Sequence, residues 1–262
     1  MARRSPVPLV VLACAFGALV AGCGGDSGAE TSKASPEALA KVSASDYARS
    51  VNLRQSDVPY FEVVSDDGDD VDPEAEERRQ REAQKCMGME AAVEPLAEVN
   101  SPSFEMDAPG TVLSLESTVS VERDSVDVAG EFRHFQSRLA LRCMRELFLG
   151  VLEEEETIEI DAAGATVRRL PYPGPETDDT YAFRFKSTFT VSEDRAETVA
   201  YQPGGRAAAD PLSLDVYVDL LGFASGQAVV SLAAIGMPSP VSRNFERNLL
   251  RVLRERATAR EP

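Results

Sequence analysis

Few side chains in this sequence are suited to nucleophilic catalysis. His134 is the only histidine among the 262 residues, and a catalytic serine or cysteine needs such a base within hydrogen-bonding distance. Helical periodicity places His134 on a solvent face, nearly opposite Cys143, so no Cys–His pair is expected. Ser225 lies near two glycines, but a nucleophile elbow requires glycine two residues before the serine, where Phe223 stands. The sequence therefore predicts no catalytic residue.

Carboxylates are abundant, and they supply the main alternative site. Five aspartates lie between Asp66 and Asp72, and oxygen ligands of this kind suit calcium. In an EF-hand register from Asp66, however, Gly68 and Val71 fall where an acid and the turn glycine belong. We interpret the run as solvated linker, with calcium binding as the alternative. Zinc is not predicted, because one histidine and two cysteines expected to be bridged are too few ligands. No metal or cofactor is therefore assigned.

A pair of carboxylates acting as acid and base is the catalytic alternative, as in glycoside hydrolysis. It requires two acids that face each other in a cleft, with one of them desolvated. The sequence has 44 acidic residues, and nothing in their spacing selects a pair.

The first 23 residues have the parts of an export signal. Arg3 and Arg4 precede an apolar run over residues 7–20, which is shorter than the roughly 20 residues that a spanning helix needs. Leu19-Val-Ala-Gly-Cys23 resembles the lipobox of bacterial lipoproteins. That resemblance implies cleavage between Gly22 and Cys23 and a diacylglycerol on the Cys23 thiol. An ordinary secretion signal or an uncleaved anchor is the alternative.

Charge limits the class of partner. The chain has 27 basic and 44 acidic residues, a net charge of −17, and removing residues 1–22 takes away two arginines and leaves 25 − 44 = −19. A field of this sign repels phosphate backbones, so no nucleic acid partner is expected. We expect contact with the membrane through the lipid on Cys23, and a small molecule, lipid or protein of unknown identity as ligand.

Two of the four cysteines are left for the folded domain. Cys14 belongs to the export signal and Cys23 to the lipobox, which leaves Cys86 and Cys143 in an exported chain. Thiols of exported proteins tend to be oxidised. We predict a Cys86–Cys143 disulfide that closes a loop of about 58 residues and contributes about 4 kcal/mol in the chain-entropy model. Two buried free thiols are the alternative.

The remaining pattern predicts helices and antiparallel strands in one domain. A helix is predicted to start at Asp72 and stop near Gly88, and a long amphipathic helix to run from Ser125 to about Gly150. Period-two alternation predicts strands, and the apolar run 228–235 predicts a central one. These elements favour an α+β fold, a twisted, mainly antiparallel sheet with helices packed on it.

The layout resembles two related groups of bacterial domains. A cysteine at a helix end (Cys86), a second in a long helix (Cys143) and a closing strand–strand–helix are similar to the extracellular sensor domain of PknH-type receptor kinases and to PsbP-like actinobacterial lipoproteins. The resemblance covers about residues 75–258 and implies a sensing or ligand-binding domain without recognised catalytic residues. The chain departs from PknH-type domains, which commonly have more disulfides and a tryptophan near the helical cysteine, so a shared ligand is not implied.

These observations predict three segments. Residues 1–22 are a lipoprotein signal peptide, residues 23–50 a flexible tether with a short helix, and residues 51–262 a single α+β domain. The expected function is non-catalytic, sensor-like binding of a ligand or partner by a protein that is lipid-anchored to the cell membrane on its extracytoplasmic face. The alternatives are a carboxylate-dependent hydrolase and a structural subunit of an envelope assembly, the latter with an exposed apolar patch.

Overall fold

The computed structural model describes residues 36–64, 78, 81–82, 84–89, 95–108, 110–153, 159–160, 164–175, 177, 179–191 and 212–259. Nine strands form one antiparallel sheet. The strands are β1 (Glu62–Val64), β2 (Ala97–Asn100), β3 (Ser103–Ala108), β4 (Thr111–Val121), β5 (Glu159–Ile160), β6 (Thr166–Arg169), β7 (Thr180–Val191), β8 (Leu212–Ser225) and β9 (Ala228–Met237). Their order is β1-β3-β4-β9-β8-β7-β5, with β2 also paired to β4 and β6 to β7.

Helices cover both faces of the sheet. The α-helices with both ends in the described residues are α1 (Pro36–Val51), α2 (Ser125–Gln136), α3 (Arg138–Glu153) and α4 (Arg243–Ala259). Helices α2 and α3 pack on what we call the first face, and α1 and α4 pack on the second face. The sheet therefore lies between two hydrophobic cores. This arrangement confirms the predicted α+β class.

Strand β9 is the centre of the sheet, as its apolar run predicts. It pairs with β4 on one side and β8 on the other, and nine of its ten residues are buried. Alternate residues serve the two cores: Val229 and Ile235 face the first, and Val230 and Leu232 face the second. The β8–β9 connection has two residues, and Gly226 adopts a positive φ of 60°, which suits a tight hairpin.

Helix α1 belongs to the domain, although the sequence placed it in the tether. Ala44, Tyr47, Ala48 and Val51 are buried in the second core. Their spacing of three or four residues forms one apolar stripe, and packing that stripe against the sheet stabilises the helix. The described domain therefore starts at Pro36 and not at residue 51.

The predicted long helix is two helices that meet at Ser137. The Ser137 hydroxyl accepts a hydrogen bond from the backbone N–H of Ala140 at 3.2 Å, as an N-cap does. Arg169 donates to the carbonyl oxygens of Phe135 and Ser137 at 2.9 and 2.6 Å. These carbonyls are thus satisfied without a continuous helix.

The break shifts the buried side of α3. A continuous helix predicts Leu139, Cys143 and Leu147 toward the core, but Leu139 is 38% exposed. The buried residues of α3 are instead Ala140, Cys143, Met144 and Phe148.

Several predictions fall outside the described residues. They are the signal peptide and lipobox with Cys23, residues 24–35 of the tether, the aspartate run 66–72, and the predicted start of a helix at Asp72. The end of that helix is described: residues 84–87 are helical, and Gly88 has a φ of 74°. The predicted stop near Gly88 is therefore confirmed.

Candidate functional site

The cysteine pair forms the predicted disulfide. Cys86, at the end of the helical residues 84–87, is bonded to Cys143 of α3, with an S–S distance of 2.03 Å and a Cα–Cα distance of 5.6 Å. Cys143 is 2% exposed and lies in the first core. Both sulfur atoms are engaged, so neither is available as a nucleophile or zinc ligand while the bridge is intact.

His134 and Ser225 are not assembled into a catalytic pair. The Nδ1 atom of His134 lies 3.1 Å from the carbonyl oxygen of Met87, and the ring is only partly exposed. The sequence placed His134 on a solvent face, but in the structure the ring is half-buried against the segment that includes Cys86. Ser225 is the last residue of β8 and precedes the hairpin turn. Its glycine-rich surroundings shape that turn.

A polar strip occupies part of the first face. Its members are Ser114, Glu116, Thr118 and Ser120 of β4. Alternation predicts that these side chains face solvent, but they are 0%, 6%, 3% and 0% exposed. The prediction of a half-buried strand is wrong, because both sides of β4 are covered.

Strand β3 adds a carboxyl beside this strip. Glu105 pairs with Ser114 across the β3–β4 ladder, so its side chain lies on the same face. Burial raises the pKa of Glu105, and the nearby charge of Asp107 raises it further. The polar strip thus combines hydroxyl groups with carboxyls in a partly dehydrated setting, which suits hydrogen bonding to a polar ligand.

Four charged residues meet on the second face, where α4 begins. We call Arg184, Asp219, Arg243 and Glu246 the buried ion cluster. Asp219 of β8 is 1% exposed and accepts two hydrogen bonds from Arg184 of β7, at 2.6 and 2.5 Å. Glu246 of α4 is 0% exposed, and its Oε2 accepts a hydrogen bond from Arg243 at 2.7 Å. Two carboxyls and two guanidinium groups therefore share a nearly water-free space.

The two carboxyls of this cluster are close enough for Asp219 to raise the pKa of Glu246. Burial raises the pKa of Glu246 to about 9, and the hydrogen bond to Asp219 and its charge act in the same direction. Arg243 opposes the shift, but it is 30% exposed and also donates to the carbonyl oxygen of Pro171. This pKa keeps Glu246 protonated at neutral pH, and its Oε1 is a buried oxygen without a hydrogen-bond partner.

This pair has the electrostatics of an acid–base dyad but not the access. A carboxylate-dependent hydrolase requires two opposed acids, one of them desolvated, and Asp219 and Glu246 meet that condition. Hydrolysis also requires a substrate between the acids. With exposures of 1% and 0%, neither carboxyl can be reached in this conformation. The cluster therefore holds elements together here.

The start of α4 also fastens the proline-rich loop 171–175. Arg243 donates to the carbonyl oxygen of Pro171, and Arg247 donates to that of Pro173 at 2.6 Å. Tyr172 lies between these prolines and is 8% exposed, and Arg254 lies over its ring at 5.8 Å. Burial raises the pKa of Tyr172. The arginines of α4 are thus used within the domain, as their pairing with local acceptors indicates.

A groove of about 270 Å³ lies between the ends of α1 and α4. Arg54 and Arg256 are part of its wall, which at first suggests an anion site. Arg256 is, however, bound to both carboxylate oxygens of Asp57 at 2.8 and 2.6 Å and to the carbonyl oxygen of Asn52. Arg54 donates to the carbonyl oxygen of Ser50. Both cations therefore neutralise the C-terminal end of α1.

The described part of the chain has neither a cluster of metal ligands nor a helix that could cross a membrane. There, no group of three or more His, Cys, Asp or Glu side chains is placed to hold a metal ion. The helices described are too short or too polar to cross a bilayer. No known protein family matches the chain, and neither does any curated protein sequence.

The buried ion cluster was not predicted, although the sequence has signals for it. Glu246 has helical spacing from Leu249, Leu253 and Ala257, which are all buried, so it lies on the inner stripe of α4. Asp219 shares its strand face with Leu221 and Phe223, so β8 is apolar on both faces at that end. A carboxyl on the buried side of α4 and another on a buried face of β8 each need a polar partner, and the facing element is where that partner is expected.

Proposed function

We propose that this chain is a lipid-anchored extracytoplasmic protein whose α+β domain binds a ligand or partner without catalysis. The Cys86–Cys143 disulfide is the observation that carries the proposal. Such bridges persist mainly in oxidising, extracytoplasmic compartments, which agrees with the lipobox-like segment ending at Cys23. The 12 residues from 24 to 35 separate that cysteine from α1, and they reach at most about 40 Å when extended.

The polar strip on β4 supports a binding role. Ser114, Glu116, Thr118 and Ser120 are polar side chains inside a layer that helices cover elsewhere with apolar groups. Burying a polar group costs free energy unless a hydrogen bond compensates for it, and two of these hydroxyls have such partners, Ser114 with Ser103 and Ser120 with Glu122. Because these side chains are nearly fully buried, a polar ligand would approach the strip at Glu105, which lies beside it and is partly exposed.

The anchoring part is tested by intact mass spectrometry of the protein purified from its membrane fraction. We expect a chain that begins at Cys23 and has the added mass of a diacylglycerol or a triacyl group. In a Cys23→Ser variant both changes should be lost. A wild-type chain that still contains residues 1–22, or begins elsewhere without lipid, would refute anchoring.

The binding part is tested by photocrosslinking in cells. A photoreactive amino acid at Glu105, next to the polar strip, should give a specific adduct that mass spectrometry can identify. The matched control is the same probe at Val42, which is 60% exposed on α1. Equal adducts at both positions, or none at Glu105, would count against this site.

A subunit of an envelope assembly is the second candidate, because apolar side chains are exposed in β1 and just before it. Tyr60 is 85% exposed and Val63 is 51% exposed, at the outer end of the described strand order. An edge strand of this kind can pair with a strand of another protein. A stable protein adduct from a probe at Val63, without one at Glu105, would favour this function.

A further inference from the structure

We propose that Glu246 is a proton-binding site that fastens the first turn of α4 to the sheet, and that this latch loosens when Glu246 loses its proton. The proposal concerns regulation of the fold and does not depend on the proposed function. Three contacts join α4, β8, β7 and the proline-rich loop. Glu246 meets Asp219 of β8, Asp219 meets Arg184 of β7, and Arg243 joins Glu246 to the loop at Pro171.

The charges around Glu246 determine what deprotonation does. Arg184 is engaged by both oxygens of Asp219, so it mainly neutralises that carboxylate. From its own helix, Glu246 faces only Arg243, which is partly exposed. Tyr217 lies beside Arg184, with its ring centroid 5.8 Å from the guanidinium carbon. A charged Glu246 would therefore be buried away from solvent, since the side chain is 0% exposed, and would also face the Asp219 carboxylate.

The sign of the pH dependence follows from the two states of the carboxyl. In the unfolded chain Glu246 loses its proton near its ordinary pKa of 4.5, whereas in the folded protein its pKa is about 9. Between these values the folded state holds a proton that the unfolded state has released. Raising the pH through this window therefore favours opening, and the opening constant rises by up to about tenfold per pH unit. Below pH 4.5 the stabilisation is complete.

Opening has a defined structural consequence. The first turn of α4 holds loop 171–175 through Arg243 and Arg247. If Glu246 and Asp219 separate, these two arginines move with the turn and release the carbonyl oxygens of Pro171 and Pro173. The latch therefore controls exposure of the loop as well as of the helix.

The variant Glu246→Gln tests the proposal in the full chain. The amide is close in size to a protonated carboxyl, donates to Asp219 and accepts from Arg243, but it does not titrate. Urea unfolding of wild type and variant should give similar stability near pH 5. Above that, the unfolding constant of the wild type should rise relative to the variant by up to about tenfold per pH unit until about pH 9. Parallel curves, or a constant deficit of the variant at every pH, would overturn the proposal.

Glu255→Gln is the matched control on the same helix. Glu255 is about 63% exposed and pairs with Arg251, so its loss should leave the pH profile of the wild type unchanged. Hydrogen exchange at pH 8.5 shows which residues open when Glu246 loses its proton. Relative to Glu246→Gln, the wild type should exchange faster at residues 171–175 and 243–247 than in α1, and equal acceleration everywhere would contradict a local latch.

A direct titration keeps the proposal testable if the variant does not fold. Carbon-13 NMR of glutamate carboxyl groups in the wild type should show one resonance that titrates well above pH 7. If every glutamate resonance titrates below pH 6, Glu246 is charged in the folded protein and the latch does not exist.

Discussion

Removal of the Cys86–Cys143 bridge should lower the unfolding free energy of the domain by an amount that depends on the length of the loop that the bridge closes. The two cysteines are 57 positions apart, and the closed loop includes β2, β3, β4 and α2. Without the bridge, the unfolded chain regains the conformational freedom of that loop. For a loop of this length the chain-entropy model gives about 4 kcal/mol. In a domain of this size that corresponds to a decrease in Tm of about 8–16 °C.

The double variant Cys86→Ala/Cys143→Ala is the appropriate perturbation. Alanine leaves no unpaired thiol and places no hydroxyl at position 143, which is 2% exposed. Cys14 and Cys23 should be serine in both proteins compared, so that thiol labelling reports only on the pair. The loss of small apolar volume at position 143 adds to the effect of the bridge. Wild type treated with a reductant therefore provides the cleaner value.

Urea unfolding with and without reductant measures the prediction. The wild type should lose about 4 kcal/mol of unfolding free energy on reduction, and the double variant should not respond to the reductant. In the non-reduced, denatured wild type a thiol reagent should label neither cysteine. Labelling of both, or an equal response of the two proteins to reductant, would refute the reasoning.

Two further pairs of substitutions test the packing of the two faces. Gly222→Ala would place a Cβ atom 2.3 Å from the Tyr181 ring, so it should lower the unfolding free energy in urea by about 1–3 kcal/mol. Its control is Gly150→Ala in α3, where a Cβ atom would meet nothing within 4 Å. That variant should be neutral or raise the unfolding free energy by up to about 1 kcal/mol. Asp219→Ala leaves Arg184 buried without a counter-charge and should lower the unfolding free energy by about 3–5 kcal/mol. Its control is Asp215→Ala, which breaks the more exposed ion pair with Lys186 and should lower it by less than about 1 kcal/mol. Equal effects within either pair of variants would contradict the structure.

The sequence predicted β4, β7, β8 and β9 because each has a strong periodic or apolar pattern, whereas β2 and β3 were not predicted. The alternation in β7 and β8 and the apolar run of β9 reflect whether one or both faces are covered. The two cysteines could be paired because only two were left after the export signal and the lipobox. These signals are local, or are simple counts, and need no knowledge of tertiary contacts.

The predictions failed where a distant residue changes a local pattern. Helix periodicity could not show that Arg169, from β6, takes up carbonyl groups at Ser137 and separates α2 from α3. That single break shifts the buried stripe so that Leu139 becomes partly exposed. Similarly, polar alternation in β4 predicted solvent on one face, because a sequence does not show what covers a strand.

Polar burial on the two faces of the sheet has different physical meanings. On the second face each charge of the buried ion cluster has a defined partner, and Arg184, Asp219 and Glu246 connect β7, β8 and α4. Such a network specifies how one helix docks, at a cost in desolvation. On the first face, the Ser114 hydroxyl lies 3.5 Å from that of Ser103 on β3, and Ser120 donates to Glu122, two residues along the chain, at 2.7 Å. These two contacts therefore act within the sheet layer, whereas the buried ion cluster fixes a helix on the sheet.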